Sequence, residues 1–276
     1  MIDLHVHTTA SDGRSTPELL IRQVLAAGIH TLAVADHDTV QALDETAPLA
    51  AAAGVRLVPG IEITAVHNGR DVHVLGYWFE PASSELLQFL ADSRADRLRR
   101  AGEMGARLAA LGAPIDVEGL IARRGGANSG KALARPDVAR ELVAAGHCRD
   151  VQDAFDRYLA DGGPAYVPRT GASPAEVIGV LRRAGGIASL AHPGPLGQDA
   201  LIPELARAGL DALECYHSEH APEAVARYLA LADQHGLAVS GGSDFHGEGA
   251  RRAESLGRVG LPAPHFETLT RRAERR

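Results

Sequence analysis

Met1-Ile2-Asp3-Leu4-His5-Val6-His7 alternates strictly between apolar and polar side chains after the first residue. In a β-strand successive side chains point to opposite faces, so Asp3, His5 and His7 share one face and Ile2, Leu4 and Val6 the other. Such a strand needs a hydrophobic layer behind it and a polar space in front. The turn Thr8-Thr9-Ala10-Ser11-Asp12-Gly13 follows at once. Two solvated histidines would also satisfy the pattern, so its meaning depends on the other strands. The stronger reading is a metal site at the end of the first strand.

Working outward, short apolar runs recur, each followed by a helical pattern. Thr31–Ala35, Val55–Val58 with Ile61–Ile63, Asp71–Leu75, Gly186–Leu190, Leu210–Glu214 and Leu237–Ser240 read as strands, making seven with the first. Helices are predicted over Pro17–Ala27, Val40–Ala53, Pro174–Ala184, Leu201–Ala208 and Pro222–His235. Thr16-Pro17 and Ser173-Pro174 are N-cap and first-turn proline signals. Gly28, Gly54, Gly185, Gly209 and Gly236 stand where helix C-termini take a left-handed residue. This alternation predicts a parallel barrel or an open doubly wound sheet.

Residues 81–167 break the rhythm. Helical patterns cover Ser84–Leu111, Pro136–Ala145 and Asp150–Leu159, with no strand between them. We read residues 1–80 and 168–276 as one barrel and 81–167 as a helical insertion covering its mouth. Arg94, Arg97, Arg99 and Arg100 read as a solvated side of the first insertion helix. Gly125 to Lys131 fits a phosphate-loop spacing, but Ala132 replaces the required hydroxyl residue and no strand precedes it.

The strand ends carry the chemistry. The first ends in His5 and His7, the second in Asp36-His37-Asp38, and the third contains Glu62. The fourth contains His73, the fifth ends in His192-Pro193, the sixth in Glu214, and the seventh runs into Ser243-Asp244-Phe245-His246. Each piece alone has an ordinary reading as a cap, a turn or a core histidine. In a βα barrel, however, the C-terminal strand ends face one mouth, which would collect six histidines and several carboxylates. His217, just past Glu214, is a further candidate; the remaining histidines, His220 among them, are read as mostly surface residues.

Asp3-Leu-His5-Val-His7-Thr8, Ala35-Asp36-His37-Asp38, Gly60-Ile-Glu62, His73, Ala191-His192-Pro193 and Ser243-Asp244-Phe245-His246, in this order, resemble the PHP (polymerase and histidinol phosphatase) family of metal-dependent phosphoesterases. Ala134-Arg135-Pro136 and Pro164-Ala-Tyr-Val-Pro168 are similar to a bacterial branch of nucleoside 3',5'-bisphosphate phosphatases and 5'-to-3' trimming ribonucleases. The resemblance implies a distorted (β/α)7 barrel, an α/β fold, with two to three divalent ions. By it, His5, His7, Glu62 and Asp244 would hold the first ion. Glu62, His73 and His192 would hold the second, and Asp12, His37 and His246 the third. Asp12 departs from a family pattern with histidine there, which favours manganese over zinc at that place. Asp3 is expected to orient a ligand histidine.

The implied chemistry is removal of a 3'-phosphate from a nucleoside 3',5'-bisphosphate by hydroxide generated from metal-bound water. Asp36 and His217 are the candidates for protonating the leaving group. A second phosphate needs cations and donors elsewhere; Ser129, Lys131, Arg135 and Arg169 are the candidate substrate-binding residues, with Lys131 and Arg135 one helical turn apart. The alternatives are a 5'-to-3' exoribonuclease acting on short RNA ends, a histidinol-phosphate-type phosphatase, and a non-enzymatic module. Donors limited to imidazole and carboxylate suit manganese first, with iron or zinc as alternatives.

Composition bounds these readings. The 276 residues can bury a sizeable core, built from aliphatic residues because aromatics are only 4%. A net charge of −7 argues against a protein that coats nucleic acid, so no stable nucleic-acid complex is expected. Lys131 is the sole lysine; arginine supplies the other cations. Cys148 and Cys215 form no CxxC pair, no apolar run reaches membrane length, and the polar first strand is no signal peptide. A cytoplasmic protein is expected.

Overall fold

The computed structural model describes residues 1–123, 133, 135–168, 171–250 and 252–276. Seven strands follow one another in one sheet: β1 (Ile2–Val6), β2 (Thr31–Val34), β3 (Arg56–His67), β4 (Arg70–Tyr77), β5 (Ile187–Leu190), β6 (Ala212–His217) and β7 (Ala238–Gly242). Helix α1 (Pro17–Ala26) follows β1 and α2 (Gln41–Ala52) follows β2. Between β4 and β5 lie α3 (Ser84–Ala110), α4 (Val117–Arg123), α5 (Arg135–Ala144), α6 (Val151–Ala154) and α7 (Pro174–Arg183). The barrel is completed by α8 (Pro193–Leu196), α9 (Leu201–Arg207), α10 (Pro222–Gln234) and α11 (Ala263–Ala273).

The two edges of the sheet meet just beyond β7. Asp244 N donates to His5 O at 2.8 Å and His7 N to Phe245 O at 2.9 Å. The approach is close enough to require glycine: a Cβ on Gly242 would lie 2.4 Å from His5 N. The result is a nearly closed seven-stranded barrel. Ile2, Leu4 and Val6 join α1 residues Leu20 and Val24 in the core, as the alternation predicts. Asp3, His5 and His7 are equally buried, but on the other face.

An all-parallel barrel is not what the chain builds. β4 runs antiparallel to both β3 and β5, whereas the other neighbouring pairs are parallel. The cause is local: Asn68 (φ 50°) and Gly69 (φ 76°) form a two-residue hairpin turn. Such a turn leaves no room for a crossover helix. The reversal matters for the site, because it brings the first half of β4, with His73 opposite Thr64, to the end of the barrel where β3 finishes.

The caps form as read. Thr16 Oγ1 accepts from Leu19 N at 3.3 Å, and Ser173 with Glu176 makes a complete capping box. Helix α11 was not anticipated; only Phe266 and Leu269 of its residues are buried, too few for a clear period. Both described cysteines are buried and free. No described helix is long and apolar enough to cross a membrane.

A second cluster of buried residues, running from Ala101 to Val167, is separate from the barrel core. Helix α3 joins the two: Leu86 and Leu90 belong to the barrel core, whereas Ala101, Met104 and Leu108 belong to the second cluster. Burying each leucine contributes about 1.5–3 kcal/mol. The exposed Arg183–Glu85 pair at the same junction contributes at most about 1 kcal/mol. Apolar burial therefore anchors the helical segment.

Candidate metal centre

Glu62 is the hub. Its Oε2 lies 3.2 Å from His5 Nε2, 3.2 Å from His7 Nε2 and 3.3 Å from His37 Nδ1. Its Oε1 lies 2.7 Å from His73 Nδ1 and 3.0 Å from His192 Nε2. Asp244 Oδ1 approaches His7 Nε2 at 3.2 Å and His5 Nε2 at 3.4 Å. Asp12 Oδ1 lies 3.3 Å from His246 Nε2 and 3.9 Å from His37 Nε2. The nine residues expected as metal ligands thus come together at one end of the barrel. Seven of them, all but the fully buried His5 and His7, line a cleft of about 730 Å³.

Three groups have donor atoms close enough to hold an ion: His5, His7, Glu62 and Asp244; His37, Glu62 and His73; and His7, Asp12, His37 and His246. The groups are chained through shared His7, Glu62 and His37. His192 adds its Nε2 to the Glu62 side.

Electrostatics argue that the pocket is built for cations. Buried carboxylates are expensive unless paired, yet Glu62, Asp244 and Glu214 are all fully buried here. Burial alone would raise the Asp244 carboxyl, but His5, His217 and His7 hold it well below the usual carboxylate range. Burial likewise disfavours a charged His7, but the Asp244 and Glu62 carboxylates, each 3.2 Å from Nε2, prevail and raise it to about 10. Neither nitrogen of His7 has a well-directed hydrogen-bond partner among the described residues, nor do His37 Nδ1 and Asp12 Oδ1. Buried polar atoms are rarely left so. A cluster of carboxylates facing imidazoles with undirected donors fits divalent ions with nitrogen and oxygen ligands.

Asp3 does not orient an imidazole as expected. Its Oδ1 accepts from His5 N at 3.2 Å and Ser243 N at 2.9 Å, tying β1 to the residue after β7. Burial raises its pKa to about 6. The ring-orienting carboxylate is Glu214, a residue at the end of the sixth predicted strand to which no role was given. Its Oε1 lies 2.8 Å from His5 Nδ1, and its Oε2 accepts from His192 N at 2.7 Å. One side chain thereby fixes a ring from β1 and a backbone turn after β5. His192 sits in that turn at φ 27°.

The candidate proton donors lie off the cleft wall. Asp36 accepts from Thr8 N, Thr8 Oγ1 and Ser11 Oγ at 2.8, 2.6 and 2.5 Å, so both its oxygens hold the loop that carries Asp12. His217 is buried behind Asp244: Nδ1 accepts from Glu219 N at 3.1 Å, leaving Nε2 to donate to Asp244 Oδ2 at 3.1 Å. His220, read as a surface residue, is also buried; its Nε2 accepts from Gly194 N at 3.1 Å.

Of the candidate substrate-binding residues, Ser129, Lys131 and Arg169 lie outside the described residues. Arg135 opens α5 and pairs with Asp161 at 2.6 Å. It lines a smaller cavity of about 200 Å³ together with Arg97, Phe155 and the metal-side residues Asp12, His37 and His73. The arginines of α3 do not form a solvated side. Arg97 is buried, with Nε donating to Asp38 Oδ2 at 2.7 Å and Nη1 to Leu133 O at 3.1 Å. Arg100 is buried and donates to Val167 O. Their partners come from distant segments, so helical periodicity alone does not reveal them. Arg252, paired with Asp244 Oδ2 at 2.5 Å and lining the larger cleft, had no signal in the sequence.

A family model described as "PHP domain" matches residues 3–109. The chain is 35% identical over 257 residues to a 3',5'-nucleoside bisphosphate phosphatase of Chromobacterium violaceum, covering 91% of this chain and 89% of that one. It is 36% identical over 251 residues to the 5'-3' exoribonuclease Rnm of Escherichia coli, covering 88% and 84%. A solved structure assigned as a metal-dependent phosphoesterase from Bifidobacterium adolescentis superposes with a TM-score of 0.87 at 34% identity. That match covers 98% of this chain and 95% of the other.

Proposed function

Because the chain belongs to the PHP family of metal-dependent phosphoesterases, we propose that it removes the 3'-phosphate from nucleoside 3',5'-bisphosphates such as pAp. The observation that carries this reading is the sharing of Glu62 between neighbouring ligand groups, which suits ions held a few Å apart. His5, His7, Glu62 and Asp244 would hold one ion, and Glu62, His73 and His192 a second. Asp12, His37 and His246 would hold a third. Manganese is the preferred ion, because Asp12 brings an oxygen donor to the third group where an imidazole would favour zinc. When bound, such ions lower the pKa of a water, bind phosphoryl oxygens and neutralise developing charge.

The remaining work falls to the chain itself. Glu214 fixes the His5 ring so that Nε2 faces Glu62 and Asp244. Asp36 holds the loop that presents Asp12. His217 holds Asp244 through an Nε2–H bond. The 5'-phosphate of the substrate would be bound beside Arg135 and Arg97 in the smaller cavity, with Ser129, Lys131 and Arg169 proposed to join them. Fixing that remote phosphate turns binding energy into orientation at the reacting phosphoryl group.

The second reading, a 5'-to-3' exoribonuclease, uses the same site and is supported by equal similarity to the Escherichia coli relative. Phosphate release from pAp, AMP and histidinol phosphate with added Mn²⁺, beside cleavage of a 5'-phosphorylated oligonucleotide, tests both. Turnover of pAp well above that of AMP and histidinol phosphate is expected. Preference for histidinol phosphate, or inertness of all substrates across Mn²⁺, Fe²⁺ and Zn²⁺, would overturn the assignment.

A further inference from the structure

The cleft does not end at the metal-ligating residues. Its wall includes Gly194, Glu219 and Arg252, none of which lines the small cavity that holds Arg135. Glu219 and Arg252 also line a second groove of about 530 Å³, which runs on past Ser218 to Arg258. The small cavity with Arg97 and Arg135, the cleft and this groove therefore share residues in sequence and make one track. Arg252 stands at the junction. It is the one arginine lining the cleft among the described residues. Nη2 donates to Glu219 Oε2 at 2.6 Å, Nη1 lies on Asp244, and Nε has no hydrogen-bond partner among the described residues. Ser218 Oγ, on the groove wall, likewise has none. Carboxylates that would repel an anion here are answered: Glu219 by Arg252, and Glu254 by Arg258 at 3.1 Å.

This layout separates two substrates that share one chemistry. In a bisphosphate, the 3'-phosphoryl group carries nothing beyond its oxygens. In a 5'-phosphorylated oligonucleotide, the same phosphoryl is esterified to the 5'-oxygen of the next nucleotide. With the 5'-phosphate held by Arg135, that second nucleotide has to leave past the part of the cleft wall that the small cavity does not share. We propose that Arg252, with Ser218 and Arg258 beyond it, binds the phosphodiester backbone downstream of the cut and so admits single-stranded oligonucleotides. The inference rests on the phosphoesterase reading above.

The step balances without another reactant. The oxygen of water bonds to phosphorus, the bond from phosphorus to the 3'-oxygen of the first nucleotide breaks, and that oxygen takes a proton. The products are a nucleoside 5'-phosphate and a strand with a new 5'-phosphate, which is again the group the Arg135 cavity takes. A guanidinium suits a phosphodiester by its charge and its N–H donors, and Arg252 is the arginine that lines the cleft among the described residues.

The test compares wild type with Arg252→Gln, Arg252→Lys and Arg258→Ala. The first readout is kcat/KM with Mn²⁺ for pAp and for 5'-phosphorylated triadenylate. The second is binding of a labelled 5'-phosphorylated pentanucleotide to metal-free protein in EDTA, over a range of salt. Arg252→Gln is expected to lower the trinucleotide value at least about tenfold more than the pAp value, with part of the ratio restored by lysine. The slope of log affinity against log salt should fall by about 0.7, one single-strand phosphate contact. Arg258→Ala should weaken pentanucleotide binding and flatten that slope too. Equal losses on both substrates with an unchanged slope would overturn the proposal. Wild-type protein inert towards both substrates would contradict the phosphoesterase reading, while the salt slope still decides the Arg252 contact.

Discussion

Glu62 meets five imidazoles with two oxygens, so no other single side chain touches as much of the centre. Glu62→Gln keeps the volume and removes the charge. It should lose bound metal, measured by elemental analysis, and more than about 100-fold in pAp turnover. Retained metal content would remove Glu62 from the hub. Glu214 acts at one remove. Glu214→Ala leaves His5 Nδ1 and His192 N without their acceptor, a loss of about 1–3 kcal/mol in unfolding free energy. Metal affinity should fall about 10- to 100-fold. An unaltered calorimetric titration would contradict this role. At this scale the residues that cluster here were legible, because they stand on or just beyond strands that alternate with helices. Their supports were not: the polar face of a strand shows that Glu214 points inward, but not that His5 waits 2.8 Å away.

At the scale of elements, two departures share one cause. Periodicity reports which face of an element is apolar, not what a distant segment brings to it. Asn68-Gly69 is a hairpin dipeptide, but it was not read as one, and the regular βα spacing made β4 another parallel strand. Helix α3 was legible from end to end, but the burial of Arg97 was not, since Asp38 lies 59 residues away. That pair is the strut between the helical segment and the loop bearing His37. Arg97→Met takes away the guanidinium that faces the buried Asp38 carboxylate, and should destabilise by about 3–5 kcal/mol in urea unfolding. Adding Asp38→Asn should recover most of the loss, because the amide oxygen still accepts from Thr64 N, as Oδ1 does now at 2.9 Å. A single variant within about 0.5 kcal/mol of wild type would show that the strut contributes nothing.

At the scale of the molecule, the barrel gathers its negative charge at one end and holds it there with imidazoles or with metal. The consequence is a pH dependence with a definite sign. An unfolded histidine titrates near 6.5, and His7 in the metal-free fold near 10. The stability from its protonated form is complete below about pH 6.5 and is lost as the pH rises towards about 10. Metal-free protein should therefore melt at a lower temperature near pH 9 than near pH 6.5. Saturating Mn²⁺ should reverse the trend, since only deprotonated imidazoles bind it. The barrel and its mouth were legible because seven strands repeat one design; the groove beyond Arg252 was not, because a loop after the last strand builds it. The most direct test of the whole account is anomalous diffraction from crystals soaked in Mn²⁺. Two or three peaks are expected, chained through Glu62, His7 and His37, each within coordination distance of its proposed ligands. Soaked crystals with no peak among these residues would contradict it.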